Sequence, residues 1–201
     1  VLERVIFEII DTHLQNFIDV IDREYNDRND IIKNFEFSDY EIEKVVSSGS
    51  DSHNRGKSVL IFKLKNGESF VYKPRSLKTE KAYQNFCIKI SSNCKYIMKE
   101  MKIIDKGDYG WEEFVKAESC STEDELRRYY YRFGILVFIN YILDANDLHV
   151  ENLIAQGEYP VVIDAETILD NKKTFQDRNA RMVVSDFVHD SVLYSGLLPH
   201  Y

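Results

Sequence analysis

Asp147, His149 and Asn152 share the run Asp147-Leu148-His149-Val150-Glu151-Asn152, and Asp164 follows twelve residues later in Pro160-Val161-Val162-Ile163-Asp164-Ala165-Glu166. Phosphoryl transfer to a hydroxyl needs a carboxylate to accept the hydroxyl proton and hard oxygen ligands to hold Mg2+ against the phosphates. An Asp five residues ahead of an Asn, with a second Asp beyond a short hairpin, supplies both. Asp147 is the candidate base, and Asn152 and Asp164 are candidate metal ligands. The runs Asn152 to Ala155 and Val161 to Ile163, separated by Gln156-Gly157-Glu158-Tyr159, are the candidate hairpin strands. Singly, each residue has a plainer reading: Asp147 and Asn152 as turn or cap residues, His149 as a loop histidine, Asp164 as a strand-end carboxylate. Their joint spacing, with apolar runs on both sides, favours the chemical reading.

The order Asp-x-His-x-x-Asn is closer to the catalytic loop of lipid kinases than to the His-Arg-Asp order of protein kinases. Upstream, a strand, a turn-rich loop from Ser48 to Gly56, a second strand and a third ending Val71-Tyr72-Lys73 follow the order in which kinases present a phosphate-covering loop and then a phosphate-binding lysine. Lys73 is the candidate for that lysine, against the alternative of a solvated strand-end lysine. Gly56-Lys57-Ser58 is not a P-loop: Gly49 precedes Gly56 by seven positions where the pattern requires five, and Val59-Leu60-Ile61-Phe62 reads as a strand where a helix should open.

The positioning elements follow from periodicity. Apolar residues from Leu2 to Ile21 recur at helical spacing, predicting an amphipathic helix over Val1 to Tyr25, and the polar stretch Asp22 to Lys33 reads as a loop. Ile42 to Ser47 is a short strand. Ser58 to Leu64 and Ser69 to Lys73 flank Asn66-Gly67, a hairpin signal, and Pro74 should stop the second strand. Leu77 to Ile90 is helical, Met101 to Ile104 a strand, and Trp111 to Val115 follows the Gly107 and Gly110 turns. Thr122 to Leu143 is a helix opened by the cap-like Ser121-Thr122-Glu123-Asp124.

Composition excludes several classes. At 201 residues the chain can bury roughly 70% of its unfolded surface, enough for a real core. A net charge of −8 argues against a nucleic-acid or anionic-membrane binder, so any phosphate site must be local. No apolar run approaches the roughly 18 residues of a membrane span. Cys87, Cys94 and Cys120 show no Cys-x-x-Cys spacing and are odd in number, which fits a reducing, cytoplasmic setting better than a disulfide framework. A start on Val rather than Met predicts further sequence upstream.

Several runs resemble the dehydratase domain of class II lanthipeptide synthetases: Ser50 to Val59, Val71 to Leu77, Asp147 to Asn152, Pro160 to Ile168 and Ser191 to Pro199. Matches extend over most of the chain from about Val45 onward. The resemblance implies an enzyme that uses ATP and Mg2+ to phosphorylate Ser and Thr of a ribosomal precursor peptide and then eliminates the phosphate to leave dehydroamino acids. It implies Asp147 as base, His149 as support of the catalytic loop, and Asn152, Asp164 and Glu166 around the metal. Lys73 would hold the ATP phosphates, with Asp51, His53 and Asn54 in the covering loop. Members of the family are several times longer, so elimination residues, the rest of the dehydratase and a zinc-dependent cyclase are expected outside this chain, which reads as a fragment or the product of a shortened gene.

The expected fold class is α+β: a two-lobed, lipid-kinase-like fold truncated in its C-terminal lobe. Residues 1–115 would form the N-terminal helix and a β-rich nucleotide-binding lobe. Residues 116–201 would begin a helical catalytic lobe with the catalytic loop, the metal-binding segment and, over Thr167 to His189, an activation-loop region. Two alternatives stay open: a kinase of a lipid or small molecule, and a non-catalytic truncated kinase-like binding module.

Overall fold

Local sequence rules account for most of the secondary structure, and the departures have identifiable causes. The structure, a computed structural model, describes residues 2–49, 57–145, 148, 151–165 and 191–198. Residues 50–56 of the expected covering loop and the expected activation-loop region lie outside these residues. The fold is mixed α+β, and the chain divides into two compact units, residues 1–78 with 101–114 and residues 79–100 with 115–201.

In the first unit, helix α1 spans Leu2–Phe35 and passes straight through the stretch expected to be a loop. The correction has a physical reason. Val20, Glu24, Asp27, Ile31 and Phe35 are buried at spacings of three and four residues, so the helical stripe continues with two acids in it. Each acid has partners: Arg28 grips both Glu24 oxygens at 3.0 Å, and Tyr40 donates to Oε1 at 2.9 Å. Asp27 accepts from Trp111 Nε1 at 2.9 Å and pairs with Lys106 at 2.9 Å. The helix ends with Glu36 in the left-handed region at φ 61° and Phe37 N–H donating to Ile32 C=O at 3.2 Å, which satisfies a terminal carbonyl.

Strands β1 (Ile42–Ser47), β2 (Leu60–Leu64), β3 (Ser69–Lys73), β4 (Ile103–Asp105) and β5 (Gly110–Glu113) form one antiparallel sheet in the order β1-β2-β3-β5-β4. The β2–β3 connection is longer than a two-residue Asn-Gly turn. Gly67 N–H donates to Leu64 C=O and Leu64 N–H to Glu68 C=O, so three residues form the loop and Gly67, at φ 89°, takes its left-handed position. One face of the sheet carries Phe62, Leu64, Phe70, Tyr72, Ile104 and Trp111 into a core with Val20, Ile31 and Phe35. Phe62 stacks on Phe70 with centroids 4.8 Å apart and meets Trp111 edge-on at 5.6 Å. Such pairs add about 0.5–1.5 kcal/mol each beyond the area they bury.

In the second unit, helix α2 (Lys78–Ser91) contributes Tyr83 and Cys87, four residues apart. Helix α3 (Glu123–Ile142) contributes Ile135, Leu136 and Ile139 to the same core. The Thr122 hydroxyl caps α3 by accepting from Glu125 N–H, as its sequence predicts. Strands β6 (Leu153–Gln156) and β7 (Tyr159–Val162) form a hairpin on a two-residue turn, and a short 3-10 turn spans Val192–Ser195. Cys87, Cys94 and Cys120 are free thiols.

The Asp27 network ties α1 to the sheet and makes stability pH-dependent. Burial alone would raise the Asp27 carboxyl, but hydrogen bonds from Lys106, Trp111 and Tyr109, with the Lys106 charge, outweigh it and hold the carboxyl below its ordinary value. A carboxyl lowered in the folded state stabilises above its unfolded value, near pH ~3.9, and that stability is lost as pH falls through the folded value. Asp27→Asn should therefore lose about 2 kcal/mol at neutral pH, the scale of hydrogen bonds to a charged group, and show a shallower loss of stability on acidification. Urea unfolding followed through the single tryptophan, Trp111, checks this; parallel pH profiles for the two proteins would refute it.

Candidate functional site

Lys73 ends β3, and alternation along the strand puts it on the face opposite Phe70 and Tyr72. The ladder pairs Val71 with Glu112 and Lys73 with Gly110, so Glu112 is the diagonal cross-strand neighbour of Lys73 on the same face. The Lys73 ammonium lies 2.9 Å from the Glu112 carboxylate, and the two side chains are only 7% and 4% exposed. Stripping one partner from a buried pair typically costs about 3–5 kcal/mol, because the other charge stays desolvated. Lys73 is thus a built-in buried cation rather than a solvated strand-end lysine.

The backbone around the pair is tightly fitted. A Cβ on Gly110 would lie 2.4 Å from Leu77 Cδ1 and 2.7 Å from the Ile104 carbonyl, so only glycine permits this approach of β5 opposite Lys73. Beyond Pro74 the chain is held by Asp105, which accepts from Ser76 Oγ at 3.1 Å and Leu77 N–H at 2.9 Å. A separate cavity of about 150 Å3, lined by Arg23, Lys57, Tyr72 and residues of α1, reaches Tyr72 rather than Lys73, and so belongs to the other face of the sheet.

In the second unit, the β6–β7 register pairs Leu153 with Val162, and Ile163 N–H donates to Asn152 C=O at 3.0 Å. The hairpin therefore brings Asn152, just before β6, and Asp164, two residues past β7, to the same open end. Both are partly buried. The described residues nearest Asp147 in sequence are themselves anchored. Helix α3 closes with Asp144 in the left-handed region at φ 52° and Ala145 N–H donating to Asn140 C=O at 3.0 Å. Asn140, fully buried, exchanges hydrogen bonds with the Tyr83 hydroxyl on α2. Leu148 is buried and donates its N–H to the Ser195 carbonyl at 3.0 Å, and Ala165 is buried beside Asp164.

Of the residues predicted from sequence, Lys73, Asn152 and Asp164 fall within the described residues, and the hairpin brings the last two together. Asp147, His149, Glu166, Asp51, His53 and Asn54 lie outside them. Among the described residues no group of three or more His, Cys, Asp and Glu side chains is placed to hold a metal ion. No described helix is long and apolar enough to cross a membrane. Glu112 was missed by sequence reasoning: its signal was an acid alternating with Trp111 in a strand, which is visible only once the strand's partner is known.

The whole chain, residues 1–201, matches the family described as domain of unknown function DUF4135. The chain belongs to this family, and with it to the class II lanthipeptide synthetases that its motifs resemble. Among curated proteins it is similar to the lacticin 481/lactococcin biosynthesis protein LcnDR2 of Lactococcus lactis subsp. lactis, at 35% identity over 162 residues. The match takes in 74% of this chain and 17% of that protein, so this family member spans about a sixth of its relative's length.

The hairpin is clamped at its turn by Arg132 of α3. Its guanidinium donates to Ile97 C=O at 2.8 Å, Glu158 C=O at 3.1 Å and Glu158 Oε1 at 3.0 Å, and lies 4.2 Å from the Tyr159 ring centroid. A lysine has no planar fork to reproduce this set. Arg132→Lys should cost about 2–3 kcal/mol and speed amide exchange in β6 and β7, as read by hydrogen–deuterium exchange. Unchanged exchange would show that the clamp does not hold the hairpin.

Proposed function

We propose that the chain forms the ATP- and magnesium-binding part of a dehydratase that phosphorylates Ser and Thr side chains of a ribosomal precursor peptide and then eliminates the phosphate to give dehydroamino acids. The observation that carries this reading is the convergence of Asn152 and Asp164 at the open end of one hairpin, in a chain of this family. The order of elements supports it further. A lysine on the third strand, a helix, two strands, a second helix, the segment that holds Asp147 in the sequence and then the Asn–hairpin–Asp unit follow the sequence of parts in two-lobed kinases. The lactococcal relative is named as a biosynthesis protein for lacticin 481/lactococcin.

The donor set suits Mg2+. Asn152 offers an amide oxygen and Asp164 a carboxylate, both hard donors, and such sites leave the remaining positions to water and phosphate oxygens. Glu166 would stand near the same site. Bound magnesium would supply neutralisation of charge on the transferring phosphate. The chain's own residues do the rest: Lys73 binds phosphate oxygens, Asp147 accepts the proton of the attacking Ser or Thr hydroxyl, and His149 supports the loop. Asp51, His53 and Asn54 would cover the phosphates. Phosphoryl transfer leaves a phosphoester, and loss of the Cα proton with the phosphate then forms the double bond. The residues for that elimination, and the cyclase expected to follow, belong to the remainder of the synthetase.

Calorimetry of ATP binding to the full-length synthetase, with and without Mg2+, tests the shared core of this reading. Asp164→Ala should abolish the magnesium-dependent part of binding, and Asp147→Asn should leave binding intact while lowering peptide dehydration, scored by mass spectrometry, at least 100-fold. Full dehydration by Asp147→Asn would exclude it as the base. A phosphorylated non-peptide product that persists would instead support a kinase of another substrate class.

A further inference from the structure

Glu112 has no role in the reading above, yet it is the only carboxylate of the sheet's β5 strand that is both buried and paired with the candidate phosphate-binding lysine among the described residues. We propose that Glu112 is a positioning residue for Lys73: its carboxylate, fixed on the neighbouring strand, holds the ammonium where ATP phosphates are to be met. This rests on Lys73 being a nucleotide contact.

Three features of the geometry carry it. A lysine side chain has four rotatable bonds and would sample many positions unaided; the 2.9 Å contact to Glu112 selects among them. Glu112 itself sits in a four-residue strand paired on both edges, to β3 through Val71 and to β4 through Ile103, so its backbone is determined from two sides. The next residue on the opposite face, Trp111, is fully buried and bonded to Asp27, which pins the register of β5. An ammonium has three N–H donors, so the bond to Glu112 is compatible with a bond to a phosphate oxygen.

The test is a double-mutant cycle in the full-length synthetase, with KM for ATP, kcat for peptide dehydration and melting temperature measured for Glu112→Gln, Glu112→Asp, Lys73→Gln and the double variant Lys73→Gln/Glu112→Gln. Positioning predicts that Glu112→Gln raises KM for ATP at least tenfold, that Glu112→Asp, which keeps the charge, recovers part of the loss, and that Glu112→Gln has little further effect once Lys73 is Gln. If Glu112→Gln proves too unstable to assay, Glu112→Asp and the neutral double variant still report. Wild-type KM in a folded Glu112→Gln, a Glu112→Asp no better than Glu112→Gln, or a tenfold loss that persists in the Lys73→Gln background, would overturn the proposal while leaving ATP use intact. Absence of ATP turnover in the wild-type enzyme would instead overturn the function on which it rests.

Discussion

The β3–β5 ladder is the constraint on which the first unit depends, because it distributes residues of opposite character to opposite faces. Phe70, Tyr72 and Trp111 enter the aromatic core, whereas Val71, Lys73 and Glu112 face the other way. A slip of one residue would put Lys73 among the aromatic rings and move Tyr72 off the core, so burial on one face enforces the ion pair on the other. The Asp27 bond to Trp111 and the close fit of Gly110 against Leu77 oppose the same slip. The position of a charged side chain is therefore set chiefly by hydrophobic packing that it does not join.

The second unit applies the same device to loops. Polar residues with candidate chemistry alternate with small or apolar anchors: Ala145 and Leu148 bracket Asp147 in sequence, and Ala165 follows Asp164. All three anchors are at most 2% exposed and belong to one cluster with Ile139 and Val162. Ala145, Leu148 and Ala165 have no ladder and are held instead by burial and, for Leu148, by its N–H to Ser195 C=O. The buried Tyr83–Asn140 pair adds a polar tie between α2 and the end of α3.

Much of this was legible in the sequence, for reasons that vary by element. Ile42–Ser47, Ser69–Lys73 and the helix after Thr122 were readable because alternation, a following proline and a hydroxyl cap act within a few residues. The Asn152 and Asp164 positions were readable because a hairpin converts a sequence spacing into proximity. The second half of α1 was not, because Glu24 and Asp27 look solvent-directed until Arg28, Tyr40, Lys106 and Trp111 come to meet them. The hairpin at Asn66-Gly67 was readable, whereas its three-residue loop length is decided by the strand register, because Asn-Gly suits a two-residue turn as well. Glu112 depended on long-range pairing and had no local signature.

The Lys73–Glu112 pair also bears on how an acidic chain could hold a polyphosphate. With 34 acidic against 26 basic side chains, the molecule as a whole repels anions, and a lysine paired with a carboxylate is formally neutral. Such a pair offers a directed donor without a standing positive field, so it discriminates by geometry more than by charge. Under the proposed function, most of the charge compensation for ATP would then fall to magnesium held by Asn152 and Asp164, and nucleotide binding would be steeply metal-dependent. The same arrangement disfavours nucleic acids and other extended polyanions, which are held by arrays of uncompensated cations. Under the same proposed function, a buried lysine paired with a carboxylate would suit a small metal-bound phosphate ligand better than an anionic surface.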